Sequence, residues 1–503
     1  MQKWCVLFSV GIFILLANLD MTIVNLALAV LSKDFLASIQ QVQWIIVSYL
    51  MAAALFFCFF GKLADHFGKK NIFLLGCFLF VASSLFLGVW ASNIYSIIFA
   101  RFIQGLGFAA TLGLAVVLIV RAFPINQKGL ASGLAVTLSG IGLALGPPLG
   151  GFILQNFNWR WIFLLNVPLG ILSIILTCLF VVKDKKTSDT SFKVDIISTA
   201  FYFLGLLTLI LLLNSINKLS FIQLMGGIFL ALLSIIIFVW RSLHVTAPLI
   251  NVSLLKNRTY SIIIIIRMLF MWVMASFLFV LPLYLQNILG YSESDTGLWL
   301  LSMTGSIAVL APFIGKLVDS IGYKIPIIVS IILLLLSCLI FINLQATVSV
   351  LFIAGGLAIF GLSNGMHTSS TINGAISQVS LQNSGTAIGL FFTIAMVGSM
   401  FGVVISGLIL DSLSHIHIMN MINTNHLYLS AKQLEVLFSM ANGSQSLNNW
   451  HNVFSNFPAD FVQKITSESF IFSLHRLMLL NLIITFSGIL LSLLLFKKNK
   501  TSI

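Results

Sequence analysis

The chain has 503 residues, of which 59% are hydrophobic and 8% charged, and its mean hydropathy is +1.10. Such a composition excludes a water-soluble domain and indicates a polytopic integral membrane protein. The net charge of +13 would suit nucleic acid, but the basic residues are scattered over many short connections without forming a stripe. The expected partner of these charges is therefore the headgroup layer of a lipid bilayer, and no nucleic acid is expected.

Apolar runs follow one another along almost the whole chain, and about 20 such residues are enough for one helical crossing of a bilayer. The runs are continuously apolar, whereas barrel strands alternate, so we predict an all-α membrane protein. We count fourteen transmembrane helices, called spans 1 to 14. Their expected bounds are 4–31, 42–61, 71–90, 95–119, 131–154, 161–182, 195–214, 221–240, 260–286, 296–314, 325–344, 348–371, 385–410 and 471–496.

Lys and Arg residues are concentrated in the connections that follow even-numbered spans and in the C-terminal tail. Because basic residues accumulate in loops that stay in the cytoplasm, these connections and both termini are predicted to be cytoplasmic. The remaining connections then lie on the outer side of the membrane.

Span 1 contains Asp20, the only carboxylate deep inside a long apolar run. An ionisable group in such a position is costly and is by default a functional site for a proton or an ion. Arg101 in span 4 lies ~9 Å and Asp20 ~16 Å from the predicted outer ends of their spans. A nearby cation favours the charged carboxylate and burial favours the neutral acid, so Asp20 is the predicted proton site, with Arg101 and Gln104 tuning it. The alternative is a static ion pair between spans 1 and 4.

The connection after span 2 reads Gly61-Lys-Leu-Ala-Asp-His-Phe-Gly-Lys-Lys70, and the connection after span 10 reads Gly315-Lys-Leu-Val-Asp-Ser-Ile-Gly-Tyr-Lys324. Two copies in equivalent places indicate two homologous halves. The copies lie too far apart for six spans, so two extra helices are expected between them. We predict bundles of six helices over 1–182 and 259–503, two linker helices over 183–258, and an outer segment at 411–470.

Span 5 carries glycines at every fourth position, Gly142, Gly146 and Gly150, which form one smooth helical face. Pro147 and Pro148 remove amide donors and bend the helix beside that face. We expect this face to make a close sliding contact between the two bundles. Ordinary tight helix packing is the alternative.

Other polar or aromatic residues within the spans are candidates for lining a substrate cavity, although each would equally suit helix packing. These candidates are Asn25, Tyr49, Gln104, Trp272, Gln286 and Asn364. Arg267 in span 9 either reaches towards the membrane surface or faces the cavity, and His367 has no assigned role. The outer segment docks a periplasmic adaptor, forms a lid, or does neither. Its histidines at 415, 417, 426 and 451 are either a metal cluster or ordinary solvated side chains, and we expect no metal.

The pattern G-x-L-x-D-x-x-G-[RK]-[RK] resembles the signature loop of the major facilitator superfamily. Further strings resemble the fourteen-helix drug:proton antiporter branch of that family, the EmrB/QacA-like exporters. They are Leu19-Asp-Met-Thr-Ile-Val-Asn25, Arg101-Phe-Ile-Gln-Gly-Leu-Gly107, Gly142-Leu-Ala-Leu-Gly-Pro-Pro-Leu-Gly-Gly151, Trp159-Arg-Trp-Ile-Phe-Leu-Leu-Asn-Val-Pro168 and Leu281-Pro-Leu-Tyr-Leu-Gln286.

The resemblance implies a major facilitator fold of two six-helix bundles plus two extra helices, in a bacterial cytoplasmic (inner) membrane. It implies proton-driven export of hydrophobic or cationic toxic compounds by alternating access. The alternatives are a proton-coupled uptake symporter or an exporter of one metabolite, lipid or siderophore. A sensor of similar fold that transports nothing is a third, less favoured alternative. The sequence contains no phosphate-binding loop or nucleophile elbow that would indicate an enzyme, and no cofactor is expected.

The resemblance also assigns roles to two motifs. Gly142, Gly146, Pro147 and Gly150 form the antiporter motif. The gating motif comprises Gly61, Asp65, Gly68, Lys69 and Lys70, and Asp65 is its latch, with the start of span 13 near Ser384-Gly385 as partner. The alternative is a plain anchor at lipid headgroups. The second copy of the loop departs from the pattern at Tyr323, where a basic residue is usual, which leaves the role of that copy in gating open.

Overall fold

A computed structural model describes residues 2–124, 127–182, 195–215, 219–245, 248, 252–345, 347–379, 384–424, 428–441 and 459–496. All regular structure within these ranges is helical, which confirms the predicted fold class. The helices are α1 Gln2–Asp34, α2 Ile39–Phe67, α3 Lys69–Val89, α4 Ile94–Ala122, α5 Lys128–Asn156, α6 Arg160–Leu164, α7 Asn166–Phe180, α8 Ile196–Ser215, α9 Phe221–His244, α10 Arg258–Leu283, α11 Glu293–Ile321, α12 Lys324–Phe341, α13 Val350–Ile376, α14 Ser384–Thr424, α15 Ala431–Ala441 and α16 Ala459–Leu493.

Twelve helical segments in the described part of the chain are long and apolar enough to cross a membrane. The chain is therefore a multi-pass membrane protein. Helices α8 and α11 lie where spans 7 and 10 were expected, so fourteen crossings stay a prediction. Several turns between helices are fixed by local hydrogen bonds. Ser38 and Gln41 exchange side-chain to backbone bonds at the start of α2, as Asn93 and Ser96 do at the start of α4.

The repeated loop has the same backbone geometry in both copies. Gly68 joins α2 to α3 with a φ of 93°, and Gly322 joins α11 to α12 with a φ of 77°. Each glycine donates its N–H to the carbonyl four residues earlier, at 3.0 Å to Ala64 and 2.9 Å to Val318. Residues with a Cβ rarely adopt such φ values, so the glycine at this position permits the sharp turn. The structural match supports the inference of two homologous halves.

Two antiparallel helix pairs, α2 with α14 and α5 with α11, make the main contacts between the two halves. We call the end that carries the α1–α2 turn the Leu36 end and the opposite end the Gly68 end. Near the Leu36 end, Gln40 donates to Asp411 at 2.8 Å. Nearer the Gly68 end, Phe57 stacks on Phe392 with ring centroids 5.5 Å apart. The α2–α14 contact thus extends from the Leu36 end past the middle of both helices.

Helices α8 and α9 form a pair of their own beside the two halves. Tyr202 of α8 donates its hydroxyl to the carbonyl of Ala54 in α2 at 3.0 Å. Arg241 near the end of α9 contacts Asp195, just before α8, at 2.7 Å. Large apolar side chains of α9 such as Phe221 and Phe229 are exposed, as expected of a helix that faces lipid. The preceding linker around 183–193 lies outside the described residues.

The predicted outer segment 411–470 is more helical than its polar composition suggests. Helix α14 continues through Thr424 and α16 begins at Ala459, whereas spans 13 and 14 were expected to end at 410 and begin at 471. The reason is a small core at this end, where Ile418 and Ile422 bury against Leu437 of α15 and Val462 of α16. Because these apolar side chains are buried in that core, α14 and α16 remain helical beyond the length of a membrane crossing.

Candidate functional site

Asp20 and Arg101, which the sequence places at comparable depths, form an ion pair inside the first half. Arg101 Nη1 donates to Asp20 Oδ2 at 2.6 Å, and the two side chains are 2% and 0% exposed. Asp20 lies in the middle of α1 and Arg101 in the second turn of α4, and these helices run side by side. Neither charge reaches water in this conformation, so each depends on the other for compensation.

Three neutral side chains complete what we call the Asp20 cluster, which comprises Asp20, Arg101, Gln104, Asn166 and Ser84. Gln104 Nε2 and Asn166 Nδ2 both donate to Asp20 Oδ1, at 3.1 Å and 2.9 Å. Gln104 also accepts from Arg101 Nη1 at 2.6 Å and donates to Ser84 Oγ at 2.8 Å. The carboxylate therefore accepts three hydrogen bonds from α4 and α7.

Arg101 is held from the α2 side as well. Its Nε donates to the carbonyl of Ile45 at 3.3 Å, and its guanidinium carbon lies 4.2 Å from the centroid of the Tyr49 ring. The Tyr49 hydroxyl is buried and has no hydrogen-bond partner among the described residues. The geometry therefore couples the contacts of Asp20 to the positions of α1, α2, α4 and α7.

Sequence reasoning found Asp20, Arg101 and Gln104 but missed Asn166 and Ser84. Asn166 begins α7 and lies in the string Trp159 to Pro168 that carried part of the family resemblance. An uncharged amide near the start of a helix is common in this chain and does not by itself indicate a functional residue. Only its position in that string could have indicated a role for Asn166. Ser84 had none, since serines recur throughout the spans.

The predicted substrate-cavity residues do not form one group. Gln104 belongs to the Asp20 cluster, and the ring of Tyr49 lies against Arg101 of that cluster. Gln286 donates to the carbonyl of Leu26 at 3.4 Å and so joins the second half to α1 near the Leu36 end. Trp272 stacks on Phe401, with ring centroids 6.0 Å apart, and Asn25 bonds back to the carbonyl of Met21 at 2.8 Å.

Asn364 lies in a second buried group, the Arg267 cluster, defined as Arg267, Asn364, His367 and Thr368. Arg267 Nη1 donates to Thr368 Oγ1 at 3.0 Å, and Thr368 donates to Asn364 Oδ1 at 3.2 Å. Arg267 is 6% exposed. Its guanidinium is thus enclosed by protein between α10, α13 and α14 rather than extended along an exposed helix face.

The gating motif shows two different roles for its basic residues. Lys70 is buried and donates to the carbonyls of Cys178 and Val181, at 2.9 Å and 2.5 Å, at the C-terminal end of α7. A cation at that position satisfies carbonyls that the helix itself leaves unpaired. Lys69 pairs with Asp65 at 3.0 Å, and the Asp65 side chain is 74% exposed. The sharp turn at Gly68 brings Lys69 and Lys70 onto α3.

Among the described contacts Asp65 pairs with Lys69, and its contact with the start of α14 stays a prediction. The antiparallel register of α2 and α14, read from Gln40 with Asp411 and from Cys58 with Thr393, places Asp65 level with the start of α14 near Ser384. The carboxylate is nevertheless exposed and bound to Lys69. The side chains at 384 and 385 lie outside the described residues. In the second copy of the loop, the Tyr323 hydroxyl accepts from Gln378 at 3.2 Å.

The glycine face of α5 packs within the first half, and the expectation of a contact between the two bundles is wrong. A methyl group at Gly142 would lie 3.0 Å from the carbonyl carbon of Leu15, and one at Gly146 would lie 3.0 Å from Cβ of Thr22. A methyl group at Gly150 would meet Ile23. The face therefore holds α1, the helix of Asp20, close against α5. A period of four identifies a smooth face but not its neighbour.

The contact between α5 and α11 uses an adjacent face of α5. The backbone of Pro147 lies against Gly297, and Gly151 lies against the backbone of Ser294. Thr304 of α11 donates to the carbonyl of Ala144 at 3.3 Å. Helix α5 is thus wedged between α1 and α11. A shift of α1 would be transmitted across the two halves through α5.

Gly142→Ala is expected to destabilise the protein, because the added methyl group meets backbone atoms of α1 that cannot rotate away. Overpacking of this kind costs about 1–3 kcal/mol. Gly133→Ala is the matched control on the same helix, since a methyl group there has no neighbour within 4 Å. Melting of the purified protein in detergent measures both. Equal melting temperatures for the two variants would contradict the tight α1–α5 packing.

The outer histidines are separate from both buried groups. His415 lies against Phe438, with ring centroids 3.9 Å apart, and His417 shares a hydrogen bond with Ser469 at 3.0 Å. No metal-binding group occurs among the described residues. His426 and His451 lie outside them.

Residues 9–403 match the model of the family described as the Major Facilitator Superfamily. The multidrug resistance protein Stp of Mycobacterium tuberculosis (strain CDC 1551 / Oshkosh) is 28% identical over 408 residues, which cover 80% of this chain and 75% of Stp. The riboflavin transporter RibZ of Clostridioides difficile (strain 630) is 29% identical over 401 residues, covering 80% of this chain and 87% of RibZ. The probable transport protein HsrA of Haemophilus influenzae is 30% identical, with 79% and 86% covered.

The fold is similar to that of a solved transporter structure. A bacterial homologue of the human lysosomal transporter Spinster, crystallised in an inward-facing and occupied conformation, superposes with a TM-score of 0.67. The match covers 99% of this chain and 98% of that one at 14% identity. At so low an identity the likeness concerns the fold.

Proposed function

This chain belongs to the major facilitator superfamily, a family of transporters, and on that premise we propose that it is a proton-driven exporter of hydrophobic or cationic toxic compounds. Its curated relatives include multidrug proteins, which is consistent with the drug:proton antiporter branch. The observation that carries the proton coupling is the Asp20 cluster. A carboxylate buried in a membrane protein and paired with one mobile cation can exchange its proton as helices move.

The proposed cycle is alternating access by two bundles, residues 1–182 and 259–503, with the pair within 183–258 beside them. From the positive-inside distribution we infer that the Gly68 end and both termini lie in the cytoplasm, and the family resemblance suggests a bacterial inner membrane. The contacts of Gln40, Gln286 and Gly151 with the other half then close the outer side. Asp65 remains exposed at the cytoplasmic side. The contacts at the outer side support a cytoplasm-facing state.

A second candidate is transport of a single metabolite, which the similarity to a riboflavin transporter favours. Purified protein in liposomes with an imposed pH gradient tests both candidates against a panel of unrelated lipophilic compounds and riboflavin. Gradient-dependent movement of several unrelated compounds supports multidrug export, whereas movement of riboflavin alone supports the second candidate. If none of these compounds moved, both candidate functions would be contradicted for the compounds tested. A periplasmic adaptor at the outer helices stays a prediction.

Asp65→Asn is expected to reduce transport strongly, because the uncharged amide gains far less from the positive N-terminal end of α14 when the cytoplasmic side closes. Such a charge–dipole contact contributes about 0.3–1 kcal/mol at an exposed site and up to about 2 kcal/mol when partly buried. Uptake assays at matched membrane abundance measure the effect. Transport equal to wild type would leave Asp65 as a plain anchor beside Lys69.

A further inference from the structure

The Arg267 cluster contains a buried cation whose charge no carboxylate balances among the described residues. Arg267 Nη1 bonds to the neutral hydroxyl of Thr368, and its guanidinium lies 5.4 Å from the ring centroid of Phe391. Its Nε is buried and has no hydrogen-bond partner in the described part of the chain. The side chain is 94% buried, since 6% of it is exposed.

The other buried charged side chains of the described spans have partners that compensate their charge, whereas Arg267 has only the neutral hydroxyl of Thr368. Asp20 and Arg101 neutralise each other, and Lys70 caps the carbonyls at the end of α7. A cation that is desolvated without a counter-anion costs several kcal/mol in a membrane interior, so it is retained only where a function needs it. Since no described residue supplies the missing partner of Arg267, we look for it in a ligand.

The neighbours of Arg267 shape the kind of anion that would fit. His367 stacks on Phe270, with ring centroids 3.8 Å apart and planes inclined by 6°. Its Nδ1 is bonded to Ser330 at 3.1 Å, and its Nε2 is buried without a partner among the described residues. Arg267 and Phe270 lie one turn apart on α10, as Thr368 and His367 lie side by side on α13. Two nitrogens without a described partner, Arg267 Nε and His367 Nε2, thus lie on the neighbouring helices α10 and α13, which the bond from Arg267 to Thr368 joins.

We propose that the Arg267 cluster binds the anionic group of the transported compound, and that the substrates include lipophilic organic anions of the carboxylate class. A guanidinium presents paired N–H donors that match the two oxygens of a carboxylate, and the rings of Phe270 and Phe391 suit an apolar body attached to it. The proposal rests on the proposed export function and adds lipophilic anions to the compounds that it exports. Asp20 is occupied by Arg101 in this conformation, so it offers no charge to a cationic compound.

Binding of two matched probes to the full-length protein in detergent tests this proposal. 1-Pyrenebutyrate carries a carboxylate, and 1-pyrenebutanamide has the same apolar body without the charge. We expect the wild-type protein to bind the carboxylate at least about tenfold more tightly, since a hydrogen bond to a charged group is commonly worth that much. In Arg267→Gln this preference should disappear, while Arg267→Lys should keep part of it.

Thr368→Val separates a ligand site from a structural role. If Arg267 served only to bond Thr368, this variant would lose the same property as Arg267→Gln. On our proposal it weakens the preference for the carboxylate but keeps part of it, because the guanidinium remains and loses only the hydroxyl bonded to Nη1. A wild-type protein without preference, or an Arg267→Gln variant that retains it, would overturn the proposal. The wild-type comparison decides even if Arg267→Gln fails to fold.

The binding experiment can fail independently of the proposed export function, so the two failures can be told apart. The binding measurement needs no pH gradient and no movement of helices. Loss of the charge preference together with gradient-driven export of neutral compounds would remove the anion site and keep the exporter. A clear preference without any gradient-driven transport would keep the site and contradict proton-driven export.

Discussion

Asp20→Asn is expected to reduce gradient-driven transport to the level of empty liposomes while the protein remains folded. Asparagine keeps the shape of the side chain and can still accept from Arg101, but it cannot carry a proton at any relevant pH. Loss of the charge weakens the contacts of Gln104 and Asn166 to Oδ1, at a cost of about 1–3 kcal/mol. Transport in proteoliposomes and melting of the purified protein measure the two effects separately.

Asp34→Asn is the matched control for that variant. Asp34 lies at the end of the same helix, and its side chain is exposed. Its replacement should leave both transport and melting as in the wild type. If Asp20→Asn transported normally under a pH gradient, another group would have to carry the coupling proton, and the central role of Asp20 would be wrong.

Arg101→Met is expected to abolish transport by a different route. Without the guanidinium, Asp20 is left charged and buried, which costs about 3–5 kcal/mol unless the acid becomes neutral. Asp20 would then retain its proton throughout the cycle. Arg101→Lys should restore little, because one ammonium group cannot contact Asp20, Gln104 and the carbonyl of Ile45 at once as the guanidinium does.

The double variant Asp20→Asn with Arg101→Met separates proton coupling from a static ion pair. Removing both charges removes the uncompensated charge of either single variant, so the melting temperature should recover towards that of the wild type. If the pair only held α1 and α4 together, transport would recover as well. We expect stability to recover and transport to remain absent.

The sequence was sufficient to predict the helical class, the repeated loop and the main ion pair. Asp20 and Arg101 could be found because a charged residue inside an apolar run is rare and costly. The family resemblance agrees with the match over residues 9–403. Asn166 and Ser84 could not be singled out in this way. Neutral polar side chains are common in the spans, and only the tertiary arrangement of α3, α4 and α7 brings these two to Asp20.

The packing of α5 shows a second limit of sequence reasoning. The spacing of Gly142, Gly146 and Gly150 predicts a face that permits close approach, and the structure contains that face. Which helix occupies it depends on the rotation of α5 about its axis. The true neighbour is α1, whereas the contact between the halves is made by Ala144, Pro147 and Gly151. The glycines of the antiporter motif therefore support the helix of Asp20 directly.

The Arg267 cluster shows a third limit. Arg267 could be read either as a residue that reaches the membrane surface or as one that faces the interior, because a position two turns inside a span permits both. The contacts with Thr368 and Phe391 place it in the interior. No described carboxylate pairs with Arg267, and the sequence alone does not indicate this.

Substrate-induced proton release from the purified protein tests the central role of Asp20 most directly. The protein is mixed with a transported compound in weakly buffered detergent solution, and protons are counted with a pH indicator. We predict release from the wild type and from Asp34→Asn, and none from Asp20→Asn. Release of the same number of protons from Asp20→Asn as from the wild type would contradict the assignment of Asp20 as the coupling carboxylate.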